Sequence, residues 1–286
     1  MRSISKLRKL VSLDIKSCSF VQELPEGIGY LETLKELYID GTAIRAIDIP
    51  EGSYGKLETL SACNSKILSL PDRIGNLKSL SYLALDDTEL SELPYSIGFL
   101  ENLQTLSLRN CRSLWKLPDS IGKLKELQLM DLSYTLVNEL PSSVEDLRNL
   151  KVLKMVHTFL REFPGGIKNL ESLEEIDFSD CRNLKGECNI MGLSSLRALL
   201  IQNTDISELI VMDHLYPNLQ NLRRDGNVRI SKIGTTKEAQ HGINGCEATT
   251  LLQADGHHIS MQMMISDRTK VAVRQKQESS QGTRLG

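Results

Sequence analysis

Apolar residues return along this chain on a fixed beat. Between residues 77 and 100, Leu77, Leu80, Leu83, Leu85, Leu90, Leu93, Ile97 and Leu100 stand among polar positions, and the same figure recurs upstream and downstream. The small polar residue after each short Leu-rich run serves as an anchor. Anchors fall at Cys18, Thr42, Ser65, Thr88, Cys111, Thr135, Thr158, Cys181, Thr204 and Asn227, spaced 24, 23, 23, 23, 24, 23, 23, 23 and 23 residues apart. Ten units in so constant a register predict a repeat architecture. Register survives where identity weakens. Ala62 replaces a Leu and Tyr54 stands where Leu is usual, yet Leu57, Leu60, Ile67, Leu70, Ile74 and Leu77 keep their offsets from Ser65.

Each unit reads as two short elements. In the Thr88 unit, Leu83 and Leu85 alternate with Ala84 and Asp86, the period-2 signature of a strand with one buried face. Leu90 and Leu93 turn inward before Pro94, which lacks an N–H and restricts the residue before it. Ile97 and Leu100 face inward again from a short helical or irregular segment, where Gly98 is expected to ease the turn. One strand plus one return leg buries too little to stand alone, so neighbouring units must share a core. A helical bundle is a poor alternative. Pro25, Pro71, Pro94, Pro118, Pro141 and Pro164 would break it at the same point of these units, about every six turns from Pro71 on.

The pattern L-x-x-L-x-x-L-x-L, small polar anchor, L-x-x-L-P-x-x-I-G-x-L resembles the leucine-rich repeat, over about residues 4–230. The resemblance implies an α/β solenoid of about ten 23–24-residue repeats, curved, with parallel strands on its concave face and short helical or irregular return legs. Anchor identity narrows it further. Three anchors are Cys and five are Thr, and units of the form C-x-x-L-x-x-L-P alternate with T-x-L-x-x-L-P. Residues 85–100 and 106–124 carry this best. The alternation resembles the C-terminal repeats of plant TIR–nucleotide-binding–leucine-rich-repeat disease-resistance proteins. Plant extracellular receptors use G-x-I-P instead and accumulate N-x-[ST] sites, of which this chain has none. Ras-linked scaffold repeats share L-P-x-x-I but prefer Asn at the anchor, and they form the alternative reading.

That resemblance also implies an upstream nucleotide-binding domain, but no G-x-x-x-x-G-K-[ST] string occurs here. A fragment without the TIR and nucleotide-binding domains is the expectation, and ATP or ADP binding is not carried over. Of 47 Leu, 44 precede residue 231, so the repeat array is expected over 1–230, with a disordered or non-repeat tail over 231–286. Within that tail, residues 259–266 alternate weakly, as an edge strand would. A net charge of -3 argues against nucleic acid as a partner. No apolar run approaches the roughly 18 residues of a membrane span, and the N-terminus lacks a secretory apolar stretch. A cytoplasmic protein, nuclear as well in some settings, is expected.

Candidate chemistry is sparse. Cys18, Cys63, Cys111, Cys181, Cys188 and Cys246 show no metal-ligand spacing, and the three anchor cysteines read as small groups packed at strand ends. His157, His214, His241, His257 and His258 have no nucleophile placed beside them by the repeat. Neither an enzyme, nor a cofactor or metal site, nor a small-molecule substrate is expected. The outward strand positions carry the functional expectation. On the concave face the resemblance places Tyr38, Asp40, Asp86, Asp87, Arg109, Asp131, Tyr134, Lys154, His157, Asp177 and Asp180 as protein-binding residues. Carboxylates outnumber cations there, which suits a basic patch on a partner. The implied partner is a protein, either a pathogen effector or the nucleotide-binding domain of a related receptor.

Overall fold

The structure is a computed structural model and describes residues 4–212 and 218–233. Its strands, in chain order, are β1 (Ser12–Asp14), β2 (Glu36–Tyr38), β3 (Thr59–Ser61), β4 (Tyr82–Ala84), β5 (Thr105–Ser107), β6 (Leu129–Asp131), β7 (Val152–Lys154), β8 (Glu175–Asp177), β9 (Lys185–Asn189), β10 (Ala198–Ile201), β11 (Asp205–Met212), β12 (Asn221–Arg224) and β13 (Arg229–Ile233). Ten of them, β1 to β8, β10 and β12, form one parallel sheet in sequence order. One strand per repeat unit, laid beside its predecessor, is the solenoid that the spacing predicts.

Alternation sets the inside and outside of that sheet. The central residues Leu37, Leu60, Leu83, Leu106, Met130, Leu153, Ile176 and Leu199 pair in register across successive strands. All eight are completely buried. The anchors then close each strand end. The hydroxyls of Thr42, Ser65, Thr88, Thr135, Thr158 and Thr204 each donate to the carbonyl three residues back, at 2.7–3.0 Å. Cysteine does the same work across coils. Cys111 Sγ donates to Leu85 O at 3.1 Å and Cys181 Sγ to Met155 O at 2.9 Å, each reaching the strand of the preceding coil. The Thr and Ser hydroxyls thus satisfy buried carbonyls that an alkyl group would leave without that donor, and the thiols add a second donor at Leu85 O and Met155 O, which also accept from Thr88 and Thr158. Cys18, in the first described coil, is exposed instead.

Return legs take two forms, and proline sorts them. In the five units from Ser65 to Thr158, where Pro is followed three residues on by Ile or Val, the leg is one 3-10 turn: Asp72–Asn76, Tyr95–Phe99, Asp119–Lys123, Ser142–Asp146 and Gly165–Asn169. Each begins directly after a proline whose carbonyl accepts the N–H three residues on, as Pro94 O does from Ile97 at 3.0 Å. Gly98 does not ease the turn by unusual backbone torsion. Its role is contact, because a Cβ there would drive into the Ser120 carbonyl of the next coil, as one on Gly75 would meet Ser96 O at 2.5 Å. Tyr54 substitutes for leucine in a similar way. It is buried, and Gly29 leaves it room where a side chain would collide with Ser53 and Tyr54.

The last three legs lack the proline and become strands. β9, β11 and β13 form a second parallel sheet with β11 in the middle. Its first bridge, Glu162 to Lys185, lies just ahead of Pro164, the last leg proline of the regular units. Arg224 stands where an aliphatic residue is expected and is nonetheless buried. Its guanidinium donates to the carbonyls of Asp225 and Val228 at 3.0 and 2.9 Å. The weak alternation at 259–266 lies outside the described residues.

Candidate protein-recognition surface

Side chains on the concave face stand in rows, because every coil repeats the same backbone path. Each strand contributes two outward positions, and the residue two past its end a third. The middle row runs Asp14, Tyr38, Ser61, Ala84, Ser107, Asp131, Lys154, Asp177 and Leu200, by paired register. The third row follows two residues later and holds Lys16, Asp40, Cys63, Asp86 and Arg109. Sequence reasoning omitted the first row, which includes Glu36, Tyr82, Leu129, Val152 and Glu175. One further step of the same alternation, toward the N-terminus, finds it.

The floor is more tightly tied than an ordinary solvated strand. Asp40 Oδ1 accepts from Ser61 Oγ at 2.6 Å and from the Cys63 N–H at 2.7 Å. Asp86 repeats this two strands on, accepting from Ser107 Oγ at 2.6 Å and the Arg109 N–H at 2.8 Å. These two carboxylates bridge coils, which partly consumes them. Burial nevertheless raises the Asp86 pKa, against those two hydrogen bonds and with help from Asp131 and Asp87. Cys63 sits beside them, its thiol pushed up to about 11 by burial and then by Asp86. Asp131 and Asp177 are engaged locally, each accepting the N–H two residues on. Lys154 reaches past both aspartates to Glu175 at 3.0 Å. Lys16 joins Tyr38 and Asp40, 4.1 Å from the ring centroid and 3.4 Å from the carboxylate.

The rim beyond the strands is held by a conformational rule. Just before nine of the ten anchors the chain turns through positive φ: Ser17, Gly41, Asn64, Asp87, Asn110, Tyr134, His157, Asp180 and Asn203 all lie between 52° and 67°. Their N–H groups continue the ladder, as Asp87 donates to Arg109 O at 2.8 Å and Tyr134 to Val156 O at 2.7 Å. Gly, Asn and Asp tolerate this region; a bulky side chain pays roughly 1–2 kcal/mol for it. Asn110 donates to the Asp87 carboxylate and Asn203 to that of Asp180, so the polar members link coil to coil. Tyr134 and His157 break the rule of composition. Their rings stack with centroids 5.4 Å apart and 24° between planes, and the Arg109 guanidinium lies 4.9 Å from the Tyr134 centroid.

All eleven residues expected at the surface therefore lie on the concave floor or its rim. The structure gathers Arg109, Tyr134 and His157 into one cluster and leaves Tyr38, with Lys16, three or more coils away. Among the described residues no group of three or more His, Cys, Asp or Glu is arranged to hold a metal ion. The buried thiols of Cys111, Cys181 and Cys188 are raised by desolvation, which disfavours the reactive thiolate. Cys246, His214, His241, His257 and His258 fall outside the described residues. Among the described residues no helix is long and apolar enough to cross a membrane.

Comparison with known proteins points the same way as the geometry. A family model described as a leucine-rich repeat region matches residues 106–264, more than half of the chain's 286 residues. No curated protein matches the sequence. Among solved structures, a TDR receptor aligns with a TM-score of 0.64 at 24% identity, over 79% of this chain and 40% of that one. The leucine-rich repeat domain of the type III effector XopL aligns with a TM-score of 0.54 at 24% identity, over 78% and 76%. The ectodomain of the receptor kinase GASSHO1 from Arabidopsis thaliana, solved with Casparian strip integrity factor 2, aligns with a TM-score of 0.58 at 21% identity. The chain spans 79% of its own length there but only 31% of that ectodomain.

Proposed function

The chain belongs to the leucine-rich-repeat family, and from that premise we propose that it is a protein-recognition module like the sensor repeats of plant intracellular immune receptors. One observation carries the recognition role: a continuous ten-strand concave sheet that presents varied side chains in fixed rows, one coil apart. A broad rigid surface of that kind suits a protein partner, since its side chains are pre-positioned and lose little freedom on binding. The immune-receptor assignment is supported by the alternation of Cys and Thr anchors, whose distinct hydrogen bonds explain why both residue types work at strand ends. In this reading the module acts in the cytoplasm, without chemistry of its own. Its partner is an effector protein or the nucleotide-binding domain of a related receptor.

A pull-down with the tagged chain tests it. The baits are the nucleotide-binding domain of a full-length related receptor and, in parallel, a panel of Ras-family GTPases. Capture of the nucleotide-binding domain, weakened by charge reversal at Asp131 and Asp177, is the expected result. Capture of a GTPase alone would replace this reading with that of a cytosolic Ras-linked scaffold, whose repeats share L-P-x-x-I.

A further inference from the structure

Two neighbouring coils depart from the pattern of the rim in both of its outer rows. Just before the anchors the residues are Ser, Gly, Asn or Asp in every described coil except those of Tyr134 and His157. Just after the anchors the row reads Ser19, Ala43, Lys66, Glu89, Arg112, Leu136, Phe159, Arg182, Asp205 and Val228, of which Ala43 is half-buried and Val228 buried. Leu136 and Phe159 are 42% and 48% exposed, in the same two coils. Two aromatic side chains and two large apolar ones thus form a contiguous patch at the edge of the concave face.

Folding does not account for this patch. Tyr134 and His157 hold φ of 62° and 55°, where Asn or Gly would sit with less strain. Tyr54 adopts a similar torsion but is buried in the core, which explains it. Another exposed aromatic pair, Tyr95 and Phe99, carries the Lys123 ammonium 4.9 and 5.0 Å from its ring centroids and has ordinary helical backbone. Tyr134 is half-buried and His157 exposed, and their stack with Arg109 offsets only part of a strain that every other described coil avoids with a Ser, Gly, Asn or Asp, which points to use.

Charge around the patch selects its occupant. Arg112 and Arg182 bracket Leu136 and Phe159 in one row, and Arg109 lies over Tyr134 from within the concave face. No ion pair among the described residues involves any of the three. Three carboxylates of the neighbouring coils are directed elsewhere: Glu89 to Lys66 at 3.4 Å, Asp86 to Ser107 and Arg109 N–H, and Asp180 to Asn203 at 2.9 Å; Arg112 Nε donates to the neutral Asn110 Oδ1 at 2.8 Å. We propose that this rim docks an extended segment of a protein partner in which an aromatic or leucine side chain is flanked on both sides by carboxylates. The apolar residue covers Tyr134, Leu136, His157 and Phe159, and the carboxylates meet Arg112 and Arg182. Burying an aromatic anchor inside a polar rim is the usual arrangement of a binding hot spot. The acidic floor remains available to a basic part of the same partner.

This inference rests on the recognition reading, and the experiment separates the two. A random dodecapeptide display library is panned against the full chain, and enriched peptides are tested in solution against variants. Aromatic or leucine residues between acidic ones should emerge. The double variant Tyr134→Asn with His157→Asn should weaken their binding at least about tenfold. Its thermal midpoint should stay level or rise, because Asn suits the torsion better. Arg112→Glu with Arg182→Glu should weaken the same peptides by a similar factor. A lower midpoint in the Asn variant would mean the stack is structural, and would overturn the proposal. Peptides that ignore both rim variants but fail with Asp131→Lys and Asp177→Lys would also overturn it, while leaving the recognition reading intact. No enrichment on either surface would count against both.

Discussion

Asp86 illustrates how a solenoid changes the meaning of a single side chain. On an isolated strand its carboxylate would be hydrated; here the next coil supplies two donors and takes the water away. Burial dominates and raises its pKa, so protonation is easier in the folded chain than in the unfolded one. The stability linked to this group is therefore complete below the ordinary carboxylate pKa near 3.9 and is lost as pH rises through the higher folded value. Asp86→Asn keeps an oxygen for Ser107 Oγ and the Arg109 N–H while removing the charge. Unfolding free energies from urea titration should match wild type at pH 3 and exceed it at pH 7, by under about 1 kcal/mol after solvent screening. A variant weaker than wild type only at pH 7 would show that the charge itself stabilises the floor. Period-2 alternation made the outward position of Asp86 legible. Its engagement was not legible, because the partners lie 21 and 23 residues away and depend on how closely coils stack. The strained torsions of Tyr134 and His157 were hidden for a similar reason, since their identities disguise a turn that Asn64, Asp87 and Asn110 announce.

At the scale of one element, a single missing proline decides whether a return leg is a 3-10 turn or a strand. Pro94, Pro118 and their equivalents remove an N–H at the point where legs of adjacent coils could pair. Cys188 and Ile210 occupy that point in the Cys181 and Thr204 coils, and there β9 and β11 run straight through it. This second sheet was written in the sequence as an absence, which a search for matching residues passes over. Ile210→Pro tests the account, because β11 is the middle strand and pairs on both sides. The substitution should cost about 3 kcal/mol. Amide exchange should accelerate in β9 and β13 while β4 to β6 keep wild-type protection, since coils couple mainly to their neighbours. Faster exchange throughout the ten-strand sheet would contradict that locality.

Across the whole molecule, the same nearest-neighbour logic predicts where stability is concentrated. A middle coil is covered on two sides: Leu106, Leu108, Leu114 and Leu117 in the Cys111 coil are at most 6% exposed. The first described coil has one neighbour among the described residues, and its Leu13, Ile15, Val21 and Leu24 are only partly buried, with Leu7 and Val11 about half exposed. Apolar burial is the main favourable contribution, so the free energy of local opening should follow this difference in cover. Native-state hydrogen exchange should show the amides of β1 and β2 opening at least about 2 kcal/mol more readily than those of β4 to β6. The proposed rim at Tyr134 and His157 sits next to that protected centre. Its strained torsions need rigid neighbours on both sides to persist, and a docking segment meets a surface that is already ordered. Uniform protection from β1 to β7 would refute this picture, because it would mean the array opens only as one unit. A gradient would place the strained rim where the solenoid is best able to hold it.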